Sequence, residues 1–200
     1  MKSKKLLFVT LLAAATVIPV FPAVAINFGS GTYGACQFST CSISISSNGS
    51  LSLNVTPTSA GACTTQSDNV SVLTDDPSGY TLSLANSSTN TALTNGSATI
   101  NSTSATQASP AALSADSWGY RVDGVGGFGS GPTSAQSNAS LNSVLFAEVP
   151  ASNNTPDVLA DTDVSADPAV STTAWYSVCA DTNEASGVYS TQVTYSAITN

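Results

Sequence analysis

The 200-residue chain carries 4 Lys+Arg, 12 Asp+Glu and no His, a formal net charge of −8. Without histidine it has no Ser-His-Asp or Cys-His nucleophile pair and no imidazole metal ligand, and its negative charge repels phosphate backbones and anionic membranes, which argues against nucleic-acid binding. Hydrophobic residues make up 42% of the chain and alternate regularly, which favours a packed fold over a disordered stalk.

Lys2, Lys4 and Lys5 precede an apolar run, Leu6 to Ile18, that is too short for a typical membrane span, and Ala23-Val24-Ala25 supplies the small residues a signal peptidase requires. Residues 1–25 are therefore expected to be a secretory signal peptide. Residues 26–200 are expected to form one domain, with 26–42 a less regular lead segment. Leader removal leaves Arg121 as the one base against all twelve acids, a formal charge of −11. It also leaves no lysine for a Ser-Lys dyad, a Schiff base or a covalent lysine-based linkage, and no membrane span.

Cys36, Cys41, Cys63 and Cys179 all follow the leader, and an even count outside the cytoplasm implies two disulfides. Of the three connectivities, Cys36–Cys41 with Cys63–Cys179 is the one expected: a small local loop and a long-range staple. A zinc site is disfavoured, because the spacing is CxxxxC plus two distant singles with no histidine.

Strand signals then follow in order. Ile43 and Ile45 alternate with serines, as do Leu51, Leu53 and Val55, and Asn48-Gly49 between them predicts a hairpin. Val70 and Val72 are expected to pair with Tyr80, Leu82 and Leu84 through the turn Asp75-Asp76-Pro77-Ser78-Gly79. Ala92-Leu93 and Ala98 to Ile100 flank Asn95-Gly96. Ser109-Pro110-Ala111-Ala112-Leu113 has the capping chemistry of one helical turn. Trp118, Tyr120 and Val122 fall on one face of the next strand, where Arg121 and Asp123 are expected to pair. A polar linker leads to a strand at Val144 to Val149, and an acidic loop runs from Asn153 to Pro168. Ala174 to Ala180 and Val188 to Ala197 close the chain. About nine short strands with no long helix predict an all-β fold, a single antiparallel β-sandwich of Ig-like or pilin-like type. Trp118, Tyr120, Trp175, Tyr80 and Tyr189 are its expected core anchors.

Few stretches carry chemistry. Gly124-Val125-Gly126-Gly127-Phe128-Gly129 fits GxGxxG, but Ser130-Gly131-Pro132 follows where a dinucleotide site needs a helix amino end. The loop is instead a candidate partner contact, through Gly124, Gly126, Phe128 and Gly129. Asp161, Asp163, Ser165 and Asp167 place oxygens at alternate positions, as calcium loops do, yet Ala166 and Thr172 stand where the turn glycine and the bidentate acid belong. A solvated acidic loop is the expectation there and a weak calcium site the alternative; no other cofactor is expected. Trp118, Tyr120, Trp175 and Tyr176 form either core or a sugar-stacking platform. No spacing sets two carboxylates across a cleft, so no catalytic residue is assigned and no enzyme activity is expected.

Three segments resemble a known group. Val70-Ser71-Val72-Leu73-Thr74-Asp75-Asp76-Pro77-Ser78-Gly79-Tyr80-Thr81-Leu82-Ser83-Leu84, Ser117-Trp118-Gly119-Tyr120-Arg121-Val122-Asp123-Gly124 and Gly187-Val188-Tyr189-Ser190-Thr191-Gln192-Val193-Thr194-Tyr195 resemble the GYTLTL hairpin, tryptophan strand and GTYTDTVTYT closing strand of secreted bacterial surface β-sandwich proteins, a group that is WxL-like or pilin-like. Neither Trp118 nor Trp175 is followed two residues on by Leu, so the WxL motif itself is missing. The resemblance implies a structural or adhesive component of a bacterial cell surface, extracellular and surface-associated. Its implied partners are other surface proteins, glycans or further copies of itself, and it brings no catalytic residue. A carbohydrate- or calcium-dependent ligand-binding module is the alternative.

Overall fold

The computed structural model describes residues 7–15, 41–140 and 143–200. Their regular structure is entirely β: β1 (Leu7–Ala15), β2 (Ile43–Ser46), β3 (Ser50–Val55), β4 (Ala62–Thr74), β5 (Tyr80–Asn86), β6 (Leu93–Asn95), β7 (Ala98–Ser102), β8 (Ala111–Ala112), β9 (Ser117–Val122), β10 (Gln136–Ala139), β11 (Leu145–Phe146), β12 (Asp157–Asp161), β13 (Ala166–Ala180) and β14 (Val188–Thr199). These exceed the nine strands expected, because β8, β10 and β12 are short and carry little apolar alternation.

The strands form two layers of a sandwich that does not close into a barrel. One layer runs β3-β1-β14-β5-β12; β14 also meets β6, and β6 pairs with β7. The other is centred on β4 and β13, which pair antiparallel from Ala62↔Ala180 to Ala166↔Thr74, with β9 on the far edge of β13. β2 and β10 lie end to end along the free edge of β4. β7 runs parallel to β9, so the β6–β7 hairpin turns the corner from one layer to the other.

Alternation decides the inward faces. Leu51, Leu53, Val55, Val70, Val72, Leu82 and Leu84 join Trp118, Tyr120, Tyr176, Val178, Tyr189, Val193 and Tyr195 in one buried cluster. At about 25 cal/mol per Å² of apolar area removed from water, this contact between layers is the main source of stability.

Several local expectations change. Asn48-Gly49 and Asp75 to Gly79 do turn the chain, with Gly49 and Gly79 both at φ 86°. Neither makes a hairpin: β2 pairs with β4 while β3 pairs with β1, and β4 and β5 lie in different layers. Both turns are arches that carry the chain across the sandwich. β13 and β14 are likewise split between layers. The Asn95-Gly96 turn, by contrast, joins a true hairpin. The helical turn at Ser109 to Leu113 is replaced by β8, paired with β11, because so few residues cannot offset the cost of helix nucleation. The acidic stretch from Asn153 to Pro168 is no open loop, since β12 docks on β5 and β13 begins at Ala166.

The apolar part of the expected leader forms β1, in the middle of a layer. Phe8↔Val188 to Ala15↔Tyr195 pair in parallel with β14, and Leu7↔Val55 to Leu12↔Ser50 pair antiparallel with β3. Residues 26–40 of the lead segment, Cys36 among them, lie outside the described residues. Cys63 and Cys179 stand opposite one another on β4 and β13 and are bonded, with Cα atoms 4.0 Å apart. Cys41 is disulfide-bonded as well.

Candidate functional site

β9 is buried along its whole length. Trp118, Tyr120 and Val122 face the core opposite Val178, Tyr176 and Ala174. The indole Nε1 of Trp118 donates to Thr91 O at 2.9 Å. Tyr120 exchanges backbone hydrogen bonds with Ala147, at 2.9 and 2.8 Å. The alternate side chain, Arg121, is fully buried rather than exposed.

A buried guanidinium must be paired and hydrogen-bonded. Arg121 Nε and Nη2 donate to Asp123 Oδ1 at 3.1 and 2.7 Å, and Nη1 donates to Leu145 O at 3.1 Å. Nη2 also donates to Phe128 O at 3.2 Å and Gly129 O at 3.0 Å. The Phe128 ring stands edge-on to Tyr120, with centroids 5.5 Å apart, and 5.8 Å from Arg121 Cζ, within cation–π reach. Gly131 has no room for a side chain, because a Cβ there would lie 2.3 Å from Arg121 Nε. Gly126 sits at φ 54° against Gln107 O. The glycine-rich loop is therefore a docked strap around the end of β9. Of the four residues expected to meet a partner, Gly124, Gly126 and Gly129 are exposed, while Phe128 belongs to the core and cannot serve.

Beside this strap an open depression of about 380 Å³ is lined by Val122, Asp123, Val125, Leu159 and the run Ser171-Thr172-Thr173. Asp123 is half-exposed and carries the only carboxylate in the lining. The chemistry offered is hydroxyls, one acid and a small apolar floor. Such groups are able to hydrogen-bond a neutral polar molecule, and the lining supplies no nucleophile–base pair.

The other expected sites fare differently. Asp161 Oδ1 accepts from Thr81 Oγ1 at 3.0 Å and from Asn200 Nδ2 at 3.3 Å, so it ties β12 to β5 and to the chain end. Among the described residues no three His, Cys, Asp or Glu side chains gather where they could hold a metal ion, and Asp161, Asp163 and Asp167 form no such group with Ser165 between them. Trp118, Tyr120, Trp175 and Tyr176 are all buried and present no stacking platform. Tyr80 and Tyr189 lie in the buried cluster, whereas Trp175, opposite Arg121 on the other face of β13, is buried outside it. The Tyr189 hydroxyl donates to Glu184 Oε2 and Ala185 O, both at 3.0 Å; burial, reinforced by Glu184, pushes its pKa up to about 12.

Two polar clusters were not foreseen. Tyr120 OH donates to Asp157 Oδ2 at 2.6 Å; burial raises the Asp157 pKa, and Glu148 adds to the effect while the tyrosine offsets part of it. Between the layers, the hydroxyls of Tyr176 and Tyr195 share a 2.6 Å hydrogen bond near Asp68. Asp68 is fully buried; its Oδ1 accepts from the Asn48 amide at 2.8 Å, while Oδ2 has no hydrogen-bond partner. Desolvation raises its pKa, partly offset by the Asn48 amide and the Tyr195 hydroxyl. The sequence signal was there to read: Asp68 keeps step with Val70 and Val72 on the inward face of β4.

No protein-family model matches the chain, and no curated protein matches it significantly. Among the described residues no helix is long and apolar enough to cross a membrane.

Proposed function

We propose that the chain is an exported, non-enzymatic structural or adhesive component of a bacterial cell surface. The observation that carries the reading is the Cys63–Cys179 bond across neighbouring strands, with no free thiol among the described residues. Such bonds persist outside the reducing cytoplasm, which agrees with the leader pattern of residues 1–25. Arg121, the one base outside that leader, is buried in a structural pairing and is not available to a substrate. The resemblance of the Tyr80, Trp118 and Tyr189 strands to secreted surface sandwiches points the same way. Fractionating cells that make the tagged chain tests the reading: recovery with the envelope or surface, with the N-terminus at Ile26, supports it. Recovery from the cytoplasm with Lys2 to Lys5 still attached refutes it.

The second reading, an extracellular ligand-binding module, draws on the depression beside the glycine strap. Its hydroxyls and single carboxylate suit a carbohydrate, with calcium as a bridging ion. A rise in melting temperature with a glycan panel or with calcium would favour it over a purely structural role.

A further inference from the structure

β3 has no strand partner among the described residues other than β1. The edge of β14 from Val188 to Tyr195 is likewise covered by β1. Lifting residues 7–15 out therefore leaves a slot one strand wide between β3 and β14. Its walls carry Leu51, Leu53, Val55, Tyr189, Val193 and Tyr195, all core residues. Register sets Leu7, Val9 and Leu11 against Val55, Leu53 and Leu51, and sets Ala13 and Ala15 against Val193 and Tyr195. In sequence, β1 thus has bulky residues at alternate register positions beside β3 and small ones beyond.

We propose that, once residues 1–25 are removed, this slot receives residues 26–32 of a second copy, running parallel to β14. This rests on the export reading given above. Ile26 and Phe28 would take the places of Val9 and Leu11, and Ser30 and Thr32 those of Ala13 and Ala15, the same bulky-then-small order at the same spacing. Strand addition uses both halves of the recognition: main-chain hydrogen bonds from the two free edges, and side-chain fit at alternate positions. Charge permits it in a chain that otherwise repels itself. Residues 26–42, β3 and β14 contain no charged side chain, although the chain from residue 26 onward is formally −11. Residues 33–42 then become the connector between sandwiches, and the disulfide at Cys41 holds it well short of the roughly 33 Å that ten extended residues would span. Because donor and slot are different segments of the chain, the contact is head-to-tail and builds open chains unless its rotation closes a ring.

The test uses the full chain exported from a bacterial host. Intact mass reads leader removal, light scattering reads assembly, and hydrogen exchange reads the β14 amides from Val188 to Tyr195. Leader-free protein is expected in a ladder of oligomers with protected β14 amides. Phe28→Asp, which puts a charge into the slot, should collapse the ladder to monomers and speed β14 exchange at least tenfold. A synthetic peptide of residues 26–34 added to that variant should restore protection without assembly. Leader-free monomers with protected β14 amides, or oligomers indifferent to Phe28→Asp, would overturn the slot assignment and leave the export reading intact. Protein that keeps residues 1–25 would overturn both.

Discussion

Truncating Arg121 is the sharpest test of how this sandwich is held together. Arg121→Ala removes a fully buried cation and strands the groups it serves: Asp123 Oδ1 and the carbonyls of Leu145, Phe128 and Gly129. Breaking a buried charged pair by deleting one member costs about 3–5 kcal/mol. The figure belongs at the lower end as far as Asp123 is concerned, because its half-exposed carboxylate can turn to water. The three carbonyls pull the other way, since hydrogen bonds to a charged donor contribute about 1.5–3 kcal/mol each and do not add fully. About 4 kcal/mol is the expected loss, which lowers the melting temperature by about 8–16 °C in a domain of this size. Circular dichroism melts give the magnitude, and limited proteolysis within residues 124–131 gives the location. Asp123→Asn keeps an oxygen acceptor for the guanidinium but leaves a fully buried cation without its counter-charge, so it should cost a comparable amount. A loss below about 1 kcal/mol for Arg121→Ala, with the loop still resistant to protease, would refute the strap.

Three further outcomes follow from the same geometry. Gly131→Ala drives a methyl into the Arg121 guanidinium, so it should destabilise nearly as much as Arg121→Ala, and the double variant measured by melting should lose much less than the sum. For Asp68, whose pKa is raised on folding, the folded state binds the proton more tightly than the unfolded one. Its stability contribution is therefore greatest below the ordinary aspartate pKa of about 4 and declines as pH rises toward the folded value. Asp68→Asn, which keeps an acceptor for the Asn48 amide, should raise the neutral-pH melting temperature by a few degrees and flatten the fall between acid and neutral pH; Asp157, raised in the same direction, should preserve the remainder. Replacing Cys63 and Cys179 together by alanine opens a loop spanning 116 positions and should lower denaturation stability by about 4–5 kcal/mol in the chain-entropy treatment, read from urea midpoints.

Turn chemistry in the sequence said where the chain bends, but not which strands then pair. Asn48-Gly49 and Asn95-Gly96 look alike locally; the first crosses the sandwich and the second closes a hairpin, and only the edges available to β2, β3, β6 and β7 separate the two cases. Inward faces were readable wherever apolar residues alternate, as in β3, β5 and β14. β10, with the sequence Gln136-Ser137-Asn138-Ala139, has no such pattern and is held by its place along β4 and by Asn138 Oδ1 accepting from the Thr56 amide at 2.6 Å. The pairing of Arg121 with Asp123 could be read from their spacing on one strand. Its burial could not, because three of the guanidinium's partners are main-chain carbonyls that leave no mark in composition or spacing.

The pairing of β4 with β13 also dictates the order in which the molecule can come into being. Partners such as Cys63 and Cys179, or Val70 and Thr172, are a hundred or more positions apart, so β4 has only the short β2 beside its last residues until later parts of the chain are present, and its long mate β13 comes in the last quarter. The early arches supply no long mate for β4, since they deliver β3 and β5 to the opposite layer. Contacts this distant in sequence slow folding and lengthen the time for which unpaired edges stay exposed. A chain that crosses a membrane unfolded and amino-end first would therefore hold most of β4 without its long partner until β13 arrives.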